Sequence, residues 1–145
     1  MAITAETVQG IAKLHPDGVS IDLNTGRILT GTGFCVAYAA TQDNHNFTGL
    51  QLSMQHALGP SGSGIIGAWT TGPDTYYDSV KKYITRESAV QAAIKEEQIA
   101  VYNLQAGKVE NIMTPLEPGD PKVVNGSPGS FNPALATGRK RAQTV

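Results

Sequence analysis

The hydrophobic positions first fall at helical intervals. In residues 2–14, Ile3, Val8, Ile11 and Leu14 lie near one helix face, with Gly10 the weak point. The period then drops to two. Ser20 and Asp22 alternate with Val19, Ile21 and Leu23, and Asn24-Thr25-Gly26 carries the residue types of a tight turn, so GVSIDLNTGRILT predicts a hairpin. Gly31-Thr32-Gly33 leads into a short apolar strand, Phe34 to Ala39, and Thr41-Gln42-Asp43-Asn44-His45-Asn46 is a polar loop. The helical period returns in FTGLQLSMQHAL, with Phe47, Leu50, Met54, Ala57 and Leu58 on one face.

After the glycine loop LGPSGSG, IIGAWT predicts a buried strand, Thr71-Gly72-Pro73-Asp74 a turn, and TYYDSVKKYI a second strand. Thr85 is placed to cap a helix over RESAVQAAIKEE, with Val90, Ala93 and Ile94 facing inward. QIAVYNL and VENIM, joined by Gln105-Ala106-Gly107-Lys108, predict a closing hairpin with VENIM at the edge. The sequence therefore predicts an α+β fold: an antiparallel sheet of hairpins with two main helices packed on one face.

Composition changes this picture at the C-terminus. Five of the 8 prolines (Pro115, Pro118, Pro121, Pro128 and Pro133) follow residue 114, beside Gly119, Gly126, Gly129 and Gly138. Proline removes backbone donors and glycine raises the entropic cost of ordering, so ladders and helices are disfavoured there. The expected organisation is one α+β domain over 1–114 and a flexible tail over 115–145, ending in Arg139-Lys140-Arg141. An ordered arm that wraps a neighbouring subunit through Val123, Val124 and Phe131 is the alternative. A body of that size makes one modest core, which a homo-oligomer would help to stabilise.

Charge and cysteine content exclude several classes. Lys+Arg 11 against Asp+Glu 12 gives a net charge of −1, without the basic surface that duplex nucleic acid requires. No apolar run approaches the ~18–20 residues of a membrane span, and MAITAETVQG lacks a signal sequence's basic and apolar regions. The single Cys35 suits a reducing, cytoplasmic compartment.

Enzyme signatures are weak throughout. Gly59-Pro60-Ser61-Gly62-Ser63-Gly64 has glycines but no phosphate-loop lysine, and runs into a strand. His15, His45 and His56 lack paired metal-ligand spacing. Cys35 would need His45 or His56 as a base, yet it sits between Phe34 and Val36, where cysteine serves as a small hydrophobe. The expected catalytic, metal and cofactor sets are therefore empty.

The block from Gly67 to Leu104 stands apart. Trp69 is the only tryptophan, and across a turn come Tyr76-Tyr77, Lys81-Lys82, Tyr83 and Arg86. Adjacent strand tyrosines point to opposite faces, so at most one of Tyr76 and Tyr77 is core. Rings beside cations suit a small anionic nucleotide, whose base stacks while its phosphates take charged donors. Packing of Trp69 and one tyrosine beneath the helices, with the lysines solvated, explains the same residues.

Gly67-Ala68-Trp69, Tyr76-Tyr77-Asp78-Ser79-Val80, a short helix and Glu97-Gln98-Ile99-Ala100-Val101-Tyr102-Asn103-Leu104 resemble a pattern found in small phage and prophage proteins. In size and α+β plan, residues 18–113 are similar to the phage anti-Thoeris sponge proteins. Those proteins bind cyclic ADP-ribose-type immune signals without cleaving them, between subunits of an oligomer. The resemblance implies sequestration of a small nucleotide signal, a cyclic ADP-ribose type or a cyclic oligonucleotide. It further implies stacking on Tyr77 or Trp69, with Tyr76 beside them, and pyrophosphate donors from Arg27, Lys81, Lys82 and Arg86. Gln98 or Asn103 would read the base edge or ribose. The rival expectations are a phage accessory protein without a small ligand, and a small nucleotide-processing enzyme using Cys35 or His45.

Overall fold

The computed structural model describes residues 2–112. The expected tail over 115–145 lies outside the described residues. The protein is α+β, with antiparallel strand pairing, and its contacts group into two compact units. The first comprises the described residues up to Leu29 together with Asp43–Lys81; the second comprises Thr30–Gln42 and the described residues from Lys82 onward.

In the first unit, helix α1 (Ala5–Leu14) begins at Thr4, whose hydroxyl accepts a hydrogen bond from the Thr7 amide at 3.2 Å. That bond satisfies one of the donors every helix start leaves unpaired. Strand β1 (Val19–Asp22) pairs with β3 (Ile65–Thr71), which pairs in turn with β4 (Asp74–Tyr83). The last two residues of β4 are counted with the second unit. Alternation puts Val19 and Ile21 of β1, Ile66 and Ala68 of β3, and Tyr77 of β4 into one buried cluster. Val8 and Ala12 of α1 and Leu50, Met54 and Ala57 of α2 (Asn46–Leu58) complete that core. The expected second arm of the first hairpin is reduced to a bridge between Ile21 and Ile28 and a Leu29 amide bond to the Ser20 carbonyl. The face expected for α2 is also narrower, because Leu58 is exposed.

The loop after α2 turns back on its own helix. The amides of Gly59 and Gly64 donate to the carbonyls of His56 and Ala57, and the amide of Gly62 to that of Gly59. A Cβ at Gly62 would lie 2.2 Å from the His56 carbonyl oxygen, so only glycine fits there. The loop's glycines thus close a helix end.

In the second unit, β2 (Phe34–Ala37) pairs with β5 (Ala100–Asn103), and β5 with β6 (Lys108–Asn111). Helix α3 (Arg86–Lys95) is capped by Thr85, whose hydroxyl accepts from the Ser88 amide at 3.2 Å. Its buried residues are Ala89 and Ala93, which pack with Val36, Val101 and Ile112. Ile94, expected to face inward, is exposed because the two alanines already define the packed stripe. Among the described residues there are therefore three α-helices: α1 and α2 on the first unit's core, α3 on the second's.

Candidate functional site

A row of rings crosses one face of the first unit. Trp69 and Tyr76 are register partners on β3 and β4, and their ring centroids lie 5.9 Å apart with planes 29° from parallel. On the other side of Tyr76 an isolated bridge brings in His45, whose imidazole centroid is 5.2 Å from the phenol ring. Both spacings fall within the range of attractive offset stacking. Trp69 is buried, Tyr76 partly open and His45 exposed.

Four residues of irregular backbone hold His45 there. Asp43 and Asn46 have positive φ angles of 71° and 56°, a conformation that the short side chains of Asp and Asn tolerate best. Between them the chain runs extended, with His45 at φ −142° and ψ 160°. The Asn44 carbonyl accepts from the Tyr77 amide at 3.0 Å, and the Asn44 side chain donates to Ser53 Oγ at 3.0 Å. Ser53, fully buried on α2, donates to the Tyr77 carbonyl at 2.6 Å. The Asn46 side chain donates to Asp74 Oδ1 at 3.0 Å and accepts from the Thr75 amide at 3.1 Å. Gly49 lets this loop lie directly on α2, because a Cβ there would stand 2.5 Å from the Asn44 carbonyl carbon.

A cavity of about 440 Å³ opens at this corner, lined by Asp43 to Gly49 and by Leu52. Helix α2 starts here in an unusual way. Its first turn contains no acidic residue and the N-cap His45 makes no side-chain capping bond, whereas α1 and α3 each have a threonine cap and a first-turn glutamate. Two carboxylates flank the rings. Burial raises the Tyr76 phenol above its ordinary range, and the nearby charges of Asp74 and Asp43 raise it further.

The residues predicted from sequence separate on this framework. Trp69 and Tyr76 come together. Tyr77, expected as a stacking surface, instead points into the core, 2% exposed; alternation along β4 leaves Tyr76 as the outward tyrosine. Lys81 is exposed five positions further along β4, about 17 Å from Tyr76 at ~3.3 Å per residue. Arg27 is exposed in the turn after β1, where its amide donates to Thr25 Oγ1.

The other four belong to the second unit. The Lys82 side chain packs against Gly33, whose added Cβ would meet Lys82 Cε at 2.7 Å. Arg86 Nε donates to Glu110 Oε1 at 3.0 Å, and Asn103 Nδ2 to Glu110 Oε2 at 2.7 Å. These bonds, the one from Asn103 foremost, hold the Glu110 carboxyl below its ordinary range against the opposing effect of burial. Gln98 is buried and donates to Gln42 Oε1 and to the Glu96 carbonyl, each at 3.1 Å. Arg86, Gln98 and Asn103 thus have protein partners within their own unit.

Sequence reasoning missed the Asp43–Asn46 loop as a site, treating it as a polar connector. Its only local sign was a run of Asp, Asn and His before an apolar helix period, without the usual Ser or Thr cap. Among the possible nucleophiles, Cys35 is buried opposite Tyr102 in the β2–β5 pair. Ser79, 2.7 Å from His56 Nδ1, is fully buried as well. Among the described residues no group of three or more metal-ligating side chains occurs, and no helix is long and apolar enough to cross a membrane. Compared with protein-family models, curated proteins and solved structures, the chain matches none.

Proposed function

We propose that this protein binds and sequesters a small nucleotide without transforming it, using the ring row His45–Tyr76–Trp69 and the adjoining cavity at the start of α2. The observation that carries this conclusion is the half-open Tyr76 ring, stacked on Trp69 and in tilted contact with His45, which lines the adjoining cavity. A planar base adds to such a row through its π-face. The uncapped first turn of α2 favours an anionic group through its amides and the helix dipole. Neither needs Lys81, which is distant along β4, or Arg86, which is paired with Glu110.

Binding without turnover is supported by the state of the nucleophiles. Cys35 and Ser79 are 3% and 0% exposed, and a thiol or hydroxyl so covered cannot meet a substrate. The loop that presents His45 is fixed by five hydrogen bonds through Asn44, Asn46 and Ser53, which lowers the ordering cost of binding. The resemblance to anti-Thoeris sponges supplies the biological setting: a phage anti-defence protein acting as a homo-oligomer in the host cytoplasm. Incubation with cyclic ADP-ribose-type and cyclic-oligonucleotide ligands, then heat release and mass spectrometry, tests it. Recovery of unchanged ligand is the expected result. A chemically altered product, or no binding by any of these ligands, overturns it.

A further inference from the structure

The side chains around the ring row differ in what they can still accept or donate. The His45 Nδ1 atom lies 2.9 Å from the Asp43 carbonyl oxygen. A carbonyl only accepts, so Nδ1 carries the proton, and in the neutral imidazole Nε2 is left as a bare acceptor. Nε2 has no partner among the described residues, and neither does the exposed Asp43 carboxylate. Both residues line the cavity. The amide groups of Asn44 and Asn46, which also line it, already donate to Ser53 and Asp74. The Thr48 hydroxyl can serve in either sense. Beside the rings, the uncommitted charged and imidazole groups are therefore acceptors, while donors are concentrated in the backbone of the α2 first turn.

We infer that this site selects a ring bearing an amino group, an aminopurine or aminopyrimidine, over the corresponding oxo base, through acceptance by the Asp43 carboxylate and His45 Nε2. This inference rests on the nucleotide-binding function proposed above and adds the class of base. An amino group donates to both acceptors. An oxo group in its place turns a lone pair toward a carboxylate, leaving the acceptors unpaired in the complex.

The test is calorimetric titration of the full chain with adenosine, inosine, cytidine and uridine 5′-monophosphates. The amino members, adenosine and cytidine, are expected to bind at least tenfold tighter than inosine and uridine. Asp43→Asn keeps a residue that tolerates positive φ and replaces one carboxylate oxygen by a donor. It is expected to reduce the adenosine-to-inosine ratio at least fivefold while the melting temperature stays unchanged. Equal binding of amino and oxo members, or a ratio that Asp43→Asn leaves unaltered, overturns the selectivity while the nucleotide-binding function stands. Failure of all four to bind overturns the selectivity, and failure of the cyclic ligands named above as well overturns both.

Discussion

The imidazole of His45 and the phenol of Tyr76 are in tilted contact, with centroids 5.2 Å apart and planes 34° from parallel, brought together by a single bridge between an irregular loop and β4. On its other side Tyr76 meets Trp69, its register partner on β3. Tyr76 is thus the middle member of a row to which the β3–β4 hairpin contributes two rings and the α2 approach loop the third.

Removing the middle ring should uncouple the row. Tyr76→Ala is expected to weaken nucleotide binding by about 1–3 kcal/mol, the value of one base–aromatic stack, while Tyr76→Phe retains most of the affinity. Because Trp69 is the only tryptophan, its fluorescence reports the same change: emission should shift to the red in the alanine variant. Equal affinity and an unshifted spectrum in Tyr76→Ala would remove Tyr76 from the site.

The adjacent tyrosine should behave in the opposite way. Tyr77 is 2% exposed in the core with Leu50, Met54 and Ile66, so Tyr77→Ala is expected to cost about 3–5 kcal/mol of folding stability. Tyr76→Ala, at a partly open position, should cost well under half of that. Chemical denaturation of both variants checks the contrast, and similar losses would contradict the assigned faces.

Two helix glycines give a matched pair. An added methyl at Gly49 meets the Asn44 backbone at 2.5 Å, whereas at Gly10 nothing lies within 4 Å. Gly10→Ala should stabilise the protein by about 0.5–1 kcal/mol through reduced backbone entropy. Gly49→Ala has the same helix advantage, but overpacking of about 1–3 kcal/mol outweighs it and displaces the loop that carries His45. Thermal melts should therefore move in opposite directions, with ligand affinity lost only at position 49.

The buried Ser53 hydroxyl links α2 to the site by donating to Tyr77 and accepting from Asn44. Ser53→Ala leaves both partners short of a bond in a fully buried place, at a cost of about 1–3 kcal/mol. The diagnostic outcome is a loss of ligand affinity that persists at temperatures where the variant remains folded. Unchanged affinity in that range would make Ser53 structural only.

Acid should reveal the Glu110 cluster in the second unit. Asn103 and then Arg86 hold the folded carboxyl below its unfolded value, so its contribution is present above the ordinary carboxylate range of about 4. That contribution is lost as pH falls through the depressed folded value. Glu110→Gln is expected to cost about 1 kcal/mol near neutrality, since Arg86 is half exposed, and the deficit should fade in acid. Denaturation at pH 7 and pH 3 measures this; a deficit independent of pH would show that the charge contributes nothing.

Much of the architecture follows from local rules that the sequence states directly. The helical period and Thr4 define α1, Thr85 defines the start of α3, and Gly72-Pro73 joins β3 to β4, since period, cap and turn each act over a few residues. Alternation alone required Tyr76 and Tyr77 to face opposite ways. Which of them faces the core was decided by β-sheet register and by α1 and α2 packing on the Tyr77 side, information that no local window contains. The exposure of Leu58 and Ile94 has the same origin, because a helix buries only the stripe its neighbours cover. The candidate site divides likewise. Trp69 and Tyr76 were legible as rings across a turn, whereas His45 joins them only through a long-range bridge made possible by two left-handed residues and a glycine without a Cβ. The sequence by itself determined the elements and the aromatic content of the hairpin. Only the tertiary structure decided which tyrosine faces outward, and that a histidine with a fixed tautomer stands beside it.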